Sequence, residues 1–258
     1  MKPKLAICGA AGRMGGRILA LSKDGGFFDI IAAIERKDHP DIGKDAADGV
    51  KLADSYPPGA DVVIDFSTPA ATESTIDYCR KNGAALVLGT TGLTTEQMEK
   101  LKTACKKIPA VYATNMSVGM NVLFAMAPKV AAMLGEQYDI EIIEQHHRFK
   151  KDAPSGSALT LAENICSATG RDLANCITHG RSGREALRRK GDICIHAVRA
   201  GDITGIHSVI FGTLGETITL NHTAHSPDTF AQGALRAGRW VIGKKAGLYS
   251  MTDVLGLK

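Results

Sequence analysis

Groups that can transfer protons or bind anions are concentrated between Glu144 and Ser157. Two histidines, an arginine and two lysines fall within six residues, 146–151, and a small-residue run from Ser155 predicts the start of a helix. An alternating apolar run, 140–143, predicts a strand that leads into this stretch. Histidine exchanges protons near neutral pH, and free N–H groups at a helix N-terminus bind anions. The stretch predicts either a site for a small anion that must be protonated, or a solvated basic loop before a capped helix.

The residue types favour proton transfer over metal binding. Adjacent His146 and His147 point to opposite faces of a strand, or diverge by about 100° on a helix, so they chelate a metal poorly. No third ligand is spaced to help them, and we expect no metal site. Lys150 could donate a proton or hold a carboxylate. Gly156 and Ser157 offer backbone N–H groups, and Ser157 also a hydroxyl, to a carboxylate.

A second candidate site is the glycine pattern Gly9-x-x-Gly12-x-x-Gly15. It follows an apolar strand and precedes a predicted helix, and Glu35 closes the next strand. Glycines at such a turn let the backbone approach a pyrophosphate, which the helix N-terminus stabilises. The spacing differs from G-x-G-x-x-G, because two alanines stand where one residue would be. The alternative is that the glycines serve only a tight turn, but the strand, helix and acidic residue favour a dinucleotide.

The residues around this turn suggest a nicotinamide cofactor, NADH or NADPH. Glu35 should bind the ribose hydroxyls, which favours NADH, whereas Arg36 could pair with a 2′-phosphate, which favours NADPH. Having both suggests tolerance of either cofactor. Ligands in open α/β sheets bind beyond the carboxyl ends of strands, so we expect residues 66–68, 89–92 and 113–116 to line the nicotinamide side. The chain lacks G-K-[ST], which argues against phosphate-loop nucleotide hydrolysis.

The elements that must position these residues fall into two groups. Up to residue 117, near-continuous apolar strands alternate with helices, which predicts a parallel sheet covered on both faces. The predicted strands are 5–8, 28–34, 62–66, 85–88 and 110–113. Predicted helices follow the glycine turn, run from about residue 67 to 83, and run from Thr94 or Thr95 to about Lys107.

The pattern then changes. Helices are predicted over 118–134 and 155–168, and strands over 193–198, 207–211 and 217–221 follow without helices between them, which indicates a mostly antiparallel sheet. Residues 178–192, rich in Gly and Arg, predict a mobile loop. An amphipathic helix over 228–242 is expected to return to the first domain. The fold class is therefore α/β: a Rossmann-like parallel-sheet domain (1–117 and 227–258) plus an α+β substrate-binding and oligomerisation domain (118–226).

Composition narrows the class of protein. The net charge of +4 over 258 residues suits an anionic substrate but is too small to argue for nucleic acid. No apolar run reaches transmembrane length, and the first residues do not form a signal-peptide core. Six scattered cysteines without a C-x-x-C pair predict free, mostly buried thiols in a reducing cytoplasm.

The run from Glu144 to Ala158, EQHHRFKKDAPSGSA, resembles the signature of the bacterial dihydrodipicolinate reductase family, now called 4-hydroxy-tetrahydrodipicolinate reductases. The resemblance covers essentially the whole chain. Further ordered matches are the glycine turn 9–15 and the segments 65–67, 89–92, 115–119 and 199–202. The resemblance implies reduction, by a nicotinamide hydride, of a cyclic hydroxy-imine dicarboxylate that loses water, on the diaminopimelate route to lysine.

The resemblance also implies roles for individual residues. His146 would be the general acid/base, Lys150 the proton donor, and His147, Lys150, Gly156 and Ser157 the groups that hold the dicarboxylate. The implied cofactor-binding residues are Gly9, Ala10, Ala11, Gly12, Arg13, Met14, Glu35, Arg36, Gly89, Thr90, Thr91, Ala113, Thr114, Asn115 and Met116. It implies a homotetramer assembled through the second-domain sheets, and a hinge between domains. Met116 stands where some members carry Phe and Thr68 where some carry Arg, which leaves the cofactor preference open.

Three other interpretations remain. One is another nicotinamide-dependent dehydrogenase of amino-acid metabolism, for example one that acts on a semialdehyde. Another is a nucleic-acid-binding or regulatory protein that uses the basic loop residues Arg181, Arg184, Arg188, Arg189 and Lys190, although basic residues in such a loop are usually solvated. The third is a degenerate cofactor-sensing relative, against which the intact set of His146, Lys150 and Gly156 argues.

Overall fold

The structure is a computed structural model that describes residues 1–47 and 49–257. The chain folds into two compact units. Residues 1–118 and 227–256 form the first unit, and residues 119–226 form the second.

The first unit is built on one sheet with the strand order β13-β7-β6-β5-β1-β2-β4-β3. Its strands are β1 (Lys4–Cys8), β2 (Asp29–Ile34), β3 (Asp45–Ala47), β4 (Val50–Ala53), β5 (Val62–Asp65), β6 (Ala85–Leu88), β7 (Pro109–Tyr112) and β13 (Gly247–Tyr249). All neighbouring strands pair in parallel except β3 and β4, which are antiparallel. Every residue of β5 and β6 is buried, as expected for parallel strands covered on both faces.

Helices cover both faces of this sheet, which confirms the predicted Rossmann-like architecture. They are α1 (Arg13–Gly25), α2 (Pro69–Asn82), α3 (Thr95–Ala104), α7 (Asp228–Val241) and α8 (Met251–Leu255). On one face Leu5 and Ile7 of β1 share a core with Ile18 of α1 and Leu235 of α7. On the other face, Ala6 of β1 shares a core with residues of α2 and α3. Alternate residues of β1 thus face opposite cores.

The second unit has a five-stranded sheet with the order β12-β11-β8-β10-β9. The strands are β8 (Asp139–His146), β9 (Ile177–Thr178), β10 (Ile193–Arg199), β11 (Gly205–Thr213) and β12 (Glu216–Ala224), and the helices are α4 (Val118–Leu134), α5 (Gly156–Thr169) and α6 (Leu173–Cys176). Residues of α4 and α5 pack against Ile140 and Ile142 of β8 and Phe211 of β11. Both long helices therefore lie on one face of the sheet.

The predicted mostly antiparallel sheet is confirmed for its longest pairings, since β11 is antiparallel to both β8 and β12. The order of the strands along the chain does not predict their order in the sheet at one place. Strand β8 lies between β10 and β11 and pairs in parallel with β10. Consecutive strands are usually neighbours, so only tertiary packing reveals this insertion. The short elements β3, β4, β9, β13, α6 and α8 were not predicted. Their two to five residues carry too little periodicity to be recognised.

In the segment 178–192, which was predicted to be a mobile loop, two arginines form ion pairs with residues of β8. Arg181 Nη2 lies 2.5 Å from Glu141 Oε1, and Arg188 Nε lies 2.7 Å from Asp139 Oδ1. The predicted free and buried state of the six cysteines is confirmed. Among the helices of the described residues, none combines the length and the hydropathy that crossing a membrane requires.

Candidate active site

The glycine turn between β1 and α1 has a geometry that only glycine allows at two positions. Gly9 has a φ of +76°, and a Cβ there would lie 2.5 Å from the carbonyl oxygen of Phe66. A Cβ on Gly15 would lie 2.1 Å from the carbonyl oxygen of Gly9. The first turn of α1 therefore packs directly on the turn after β1, which is the close approach that a dinucleotide-binding turn needs.

Gly12 is the N-cap of α1 and has no side chain that could bond to the first N–H groups of the helix. Other helices of the unit differ, because Thr68 caps α2 and Thr94 caps α3. The N-terminus of α1 carries no acidic residue in its first turn, and Ala11, Gly12 and Arg13 are exposed. This turn fits a phosphate group, because the N–H groups and the helix dipole both favour an anion.

Glu35 and Arg36 line the same cavity as Gly9 and Gly12. Its volume is about 570 Å³, and its wall includes Tyr56, whose ring stacks on that of Tyr78 at 4.4 Å. Glu35 Oε1 accepts a hydrogen bond from its neighbour's backbone N–H at 3.0 Å. The exposed guanidinium of Arg36 lies 3.6 Å from the Asp38 carboxylate. The cavity thus joins the glycine turn to the acid and the base that sequence reasoning proposed for the ribose and 2′-phosphate.

Two of the predicted strand ends are tied together by Asp65, which sequence reasoning did not select as a site residue. Asp65 is fully buried, and its Oδ1 accepts hydrogen bonds from the Ser67 backbone N–H at 2.9 Å, the Ser67 hydroxyl at 2.6 Å and the Thr90 hydroxyl at 2.9 Å. Its Oδ2 has no hydrogen-bond partner among the described residues. Gly89 lies under the ring of Phe66, where a Cβ would come within 2.3 Å of it. Segments 66–67 and 89–90 therefore form one connected rim.

The third predicted strand end, 113–116, is less open to a ligand. The Ala113 N–H donates to Leu88 at 3.2 Å, and the Asn115 side chain accepts from the Ser117 N–H at 2.9 Å. Met116 is only 1% exposed, and its carbonyl oxygen packs against Gly233 of α7. The Met116 side chain thus belongs to the core of the first unit.

In the second unit, His146 is the last residue of β8, and its Nδ1 lies 2.5 Å from a carboxylate oxygen of Glu144. Burial lowers the pKa of His146 below its ordinary value, although Glu144 opposes the shift, and the charge of Lys150 lowers the pKa further. The other ring nitrogen, Nε2, faces Gly205, where a Cβ would lie 3.3 Å away. A neutral imidazole with an accessible Nε2 can accept or return a proton.

Glu144 is a fully buried carboxylate that sequence reasoning missed. It accepts hydrogen bonds from the guanidinium of Arg199 at 2.7 and 2.8 Å and from the Ser155 backbone N–H at 3.0 Å. Burial raises the pKa of Glu144, but the bonds from Arg199 and His146 outweigh it and hold the pKa below its usual value. The strand pattern contained a signal, because Ile140 and Ile142 face the core and residue 144 shares their parity.

Lys150 and His147 lie in the turn after β8. Lys150 Nζ is 3.0 Å from Asp152 Oδ1, and the Lys150 N–H donates to the carbonyl of His147 at 3.1 Å. His147 is half-buried, and its Nδ1 has no partner among the described residues. Both side chains are therefore held near the end of β8 and are not part of the hydrophobic core.

Gly156 and Ser157 are the first residues of α5. Ser155 caps the helix, because its hydroxyl accepts from the Ala158 N–H at 3.2 Å, and the same hydroxyl lies 3.1 Å from Nε2 of His207. Burial lowers the pKa of His207 to about 3, so this histidine is neutral. The positive end of the helix dipole lies at the N-terminus of α5, which suits Gly156 and Ser157 to a carboxylate.

One cluster of metal-ligating types occurs among the described residues. Ligand atoms of Glu141, Cys194 and His196 lie within 4.8 Å of one another on the face of the second sheet opposite α4 and α5. The Glu141 carboxylate is already paired with Arg181 and Arg188, at 2.5 and 2.7 Å. Two guanidinium groups beside the carboxylate repel a cation, so this cluster fits a metal poorly.

Residues 3–116 match the family described as dihydrodipicolinate reductase, N-terminus, and residues 119–255 match dihydrodipicolinate reductase, C-terminus. The 4-hydroxy-tetrahydrodipicolinate reductases of Citrifermentans bemidjiense and Geobacter sulfurreducens are each 43% identical to this chain over 265 residues, covering 99% of it and 99% of the relative.

A solved structure, "Dipicolinate bound Dihydrodipicolinate reductase from Paenisporosarcina sp. TG-14", has a TM-score of 0.74 at 24% identity and covers 98% of this chain and 99% of its own. This likeness supports the two-unit fold. The family matches and the 43% identical relatives extend over nearly the whole chain, and the chain belongs to the dihydrodipicolinate reductase family.

Proposed function

We propose that this chain reduces 4-hydroxy-tetrahydrodipicolinate, with loss of water, to tetrahydrodipicolinate, as its relatives' names indicate. The product belongs to the diaminopimelate route to lysine. The observation that carries the proposal is the combination, in one turn, of the His146–Glu144 pair, Lys150 and the capped start of α5. That combination supplies a proton carrier and an anion site, which the reduction of an anionic substrate requires.

The substrate is a small dicarboxylate, and the second unit offers two kinds of anion-binding group for it. The N–H groups of Gly156 and Ser157 carry the positive end of the α5 dipole. The Lys150 ammonium and the half-buried His147 supply hydrogen-bond donors from the preceding turn. A solved relative is described as dipicolinate-bound, which supports a dicarboxylate as the ligand class.

Two side chains would handle protons. His146 would act as general acid/base through Nε2, because its Nδ1 is occupied by Glu144. Addition of hydride to the conjugated ring would leave an electron-rich, nitrogen-conjugated intermediate, and Lys150 would donate the proton that this intermediate takes up. Asp152, 3.0 Å from the Lys150 ammonium, holds this group in the turn.

A nicotinamide cofactor supplies the hydride when it is bound. In this proposal residues 9–14 hold its pyrophosphate, Glu35 its ribose and Arg36 a 2′-phosphate where one is present. The remaining cofactor-binding residues are Gly89, Thr90, Thr91, Ala113, Thr114, Asn115 and the backbone of Met116. With Glu35 and Arg36 on one cavity wall, the chain would accept NADH and NADPH.

We also propose the homotetramer that the family resemblance implies. Its support is the face of the second sheet opposite α4 and α5. Ile143, Val198 and Ile210 are partly exposed there, and the two long helices of the unit pack on the other side. A sheet face that exposes some apolar side chains and has no helical cover suits pairing with a second copy.

Replacing Lys150 by Ala tests the proposed chemistry. We expect kcat to fall by at least about 10², the usual contribution of a general acid–base group, with the fold intact by circular dichroism. Lys151→Ala is the matched control, because this exposed neighbour has no proposed role. Near-wild-type turnover in Lys150→Ala would rule out the role. An amino-acid semialdehyde, assayed beside 4-hydroxy-tetrahydrodipicolinate, tests the alternative dehydrogenase activity.

A further inference from the structure

Glu144 is the point at which three parts of the second-unit site meet. One carboxylate oxygen, Oε2, lies 2.5 Å from His146 Nδ1, at the end of β8. The other, Oε1, accepts the backbone N–H of Ser155 at 3.0 Å, at the N-cap of α5. The proton-transfer group and the helix start are therefore fixed by two oxygens of one planar group.

Arg199 completes this arrangement from β10. Its two terminal nitrogens bond to the two oxygens of Glu144 at 2.8 and 2.7 Å, in a bidentate pair. The same guanidinium donates to the carbonyl oxygen of Asp152 at 2.6 Å. Since the Asp152 carboxylate pairs with Lys150, Arg199 also fixes the turn that presents the lysine.

We propose that Glu144 and Arg199 are positioning residues for the reductase reaction, which fix the tautomer of His146 and the placement of the α5 N-terminus and of the Lys150 turn. The inference rests on the proposed proton-transfer role of His146. Neither residue needs to touch the substrate, because each acts through the group it holds.

The tautomer follows from the charge of the carboxylate. An ionised carboxylate only accepts hydrogen bonds, so the imidazole hydrogen lies on Nδ1 and points at Glu144. Nε2 then carries the free lone pair. Glutamine in place of Glu144 has the same shape but carries an amide NH₂, which can donate to Nδ1 and move the imidazole hydrogen to Nε2.

The test variant is Glu144→Gln in the full chain, and the matched control is Glu141→Gln. Glu141 lies on the same strand and also bonds to a histidine, His196, at 2.6 Å, and to arginines. The first readout is ¹⁵N NMR of the histidine rings, which reports tautomer and pKa without an activity assay. The second is the pH profile of kcat and KM for 4-hydroxy-tetrahydrodipicolinate.

In the wild-type protein we expect the hydrogen of the neutral His146 imidazole on Nδ1, and in Glu144→Gln we expect this tautomer to be lost. We expect kcat at pH 7 to fall by at least about 30-fold, within reach of the usual acid–base contribution, while KM stays within about threefold. Without the carboxylate the imidazolium loses its partner, so the His146 pKa and the acid limb of the profile move to lower pH. Glu141→Gln should leave the His146 tautomer and the pH profile of kcat and KM unchanged.

The inference is overturned if wild-type His146 carries its hydrogen on Nε2, or if Glu144→Gln changes neither the tautomer nor the acid limb. A third variant separates this failure from failure of the proposed function. If His146→Gln keeps wild-type turnover, the catalytic role of His146 is wrong, whatever the NMR shows. Should Glu144→Gln not fold, Arg199→Lys replaces it, because it retains the charge but loses the bidentate bond. In this variant we expect kcat to fall while His146 keeps the Nδ1–H tautomer, since Glu144 is still a carboxylate. Wild-type kcat in Arg199→Lys would overturn the positioning role.

Discussion

Each unit of the molecule carries a fully buried carboxylate in its candidate site, and the two are satisfied in opposite ways. Asp65, the last residue of β5, receives three hydrogen bonds from uncharged donors, all on one oxygen. Glu144, near the end of β8, receives bonds on both oxygens from a guanidinium, an imidazole and a backbone N–H. The first arrangement ties two loops together, whereas the second joins a histidine, an arginine and the start of a helix.

The pKa shifts at and around the two carboxylates also differ. Burial, and next the charge of Asp65, raises the pKa of Cys8 and of Cys79, so the thiols near this carboxylate stay protonated. In the second unit, Arg199 balances the charge of Glu144, and the pKa of that carboxyl is lowered despite burial. A rigid rim suits a surface that binds a cofactor, whereas an ionised carboxylate beside a histidine suits proton transfer.

The largest expected effect on stability comes from removing the Arg199 guanidinium, the cation that pairs with Glu144. Arg199→Met leaves Glu144 buried without its charged partner, and we expect a loss of about 3–5 kcal/mol in the free energy of unfolding at pH 7. In the wild type, the lowered pKa means that Glu144 contributes stability above its unfolded pKa and loses it as pH falls through the folded pKa. In the variant, burial raises that pKa, so the destabilisation should grow as pH rises above the unfolded pKa of a glutamate, about 4.3. Urea unfolding at several pH values measures this.

The matched control for Arg199→Met is Arg181→Met. Arg181 pairs with Glu141, but this carboxylate is 20% exposed and keeps Arg188 as a second partner. We expect the control to lose about 1 kcal/mol or less in the free energy of unfolding, as for a partly exposed ion pair. Equal losses in the two variants would remove the distinction between the Glu144 cluster and an ordinary ion pair.

A smaller effect is expected at Asp65, because no cation depends on its charge. Asp65→Asn keeps one oxygen for Ser67 and Thr90, and we expect a loss of about 1–2 kcal/mol, the cost of burying an unpaired polar group. The substitution should also disturb the rim formed by segments 66–67 and 89–90 and thereby weaken NADH binding, which calorimetry measures. Asp61→Asn, which alters a carboxylate that bonds to the Lys4 N–H at the other end of β5, is the control and should leave NADH affinity unchanged. A loss of stability in Asp65→Asn as large as that in Arg199→Met would contradict the expected difference between the two buried carboxylates.

The smallest effect concerns cofactor preference. Arg36 is exposed and pairs only loosely with Asp38, at 3.6 Å. We expect Arg36→Ala to weaken NADPH binding by about 1 kcal/mol, or roughly fivefold, and to leave NADH unchanged, because only NADPH carries a 2′-phosphate. Lys37→Ala serves as the control from the same cavity wall. Equal losses for both cofactors would exclude contact between Arg36 and the phosphate.

Much of the fold was predictable because its elements are long or strongly patterned. The buried strands β5 and β6 and the helices α4, α5 and α7 lie within about two residues of the predicted ranges. The hairpin β3–β4 and the terminal elements β13 and α8 are too short to produce a period. The insertion of β8 between β10 and β11 could not be predicted either, because it depends on contacts far apart in sequence.

The candidate site shows the same division. His146, Lys150, Gly156, Ser157 and the glycine turn could be selected from the sequence, because residue type and local spacing determine what chemistry a stretch can offer. Asp65, Arg199 and His207 could not, since their importance lies in burial and in partners up to 55 residues away. For Glu144 the alternation along β8 signals burial, but not the cation that it meets. Only the tertiary structure decides which carboxylate is removed from water and which cation meets it. The cost of burying a charge makes that pairing a property of the whole fold.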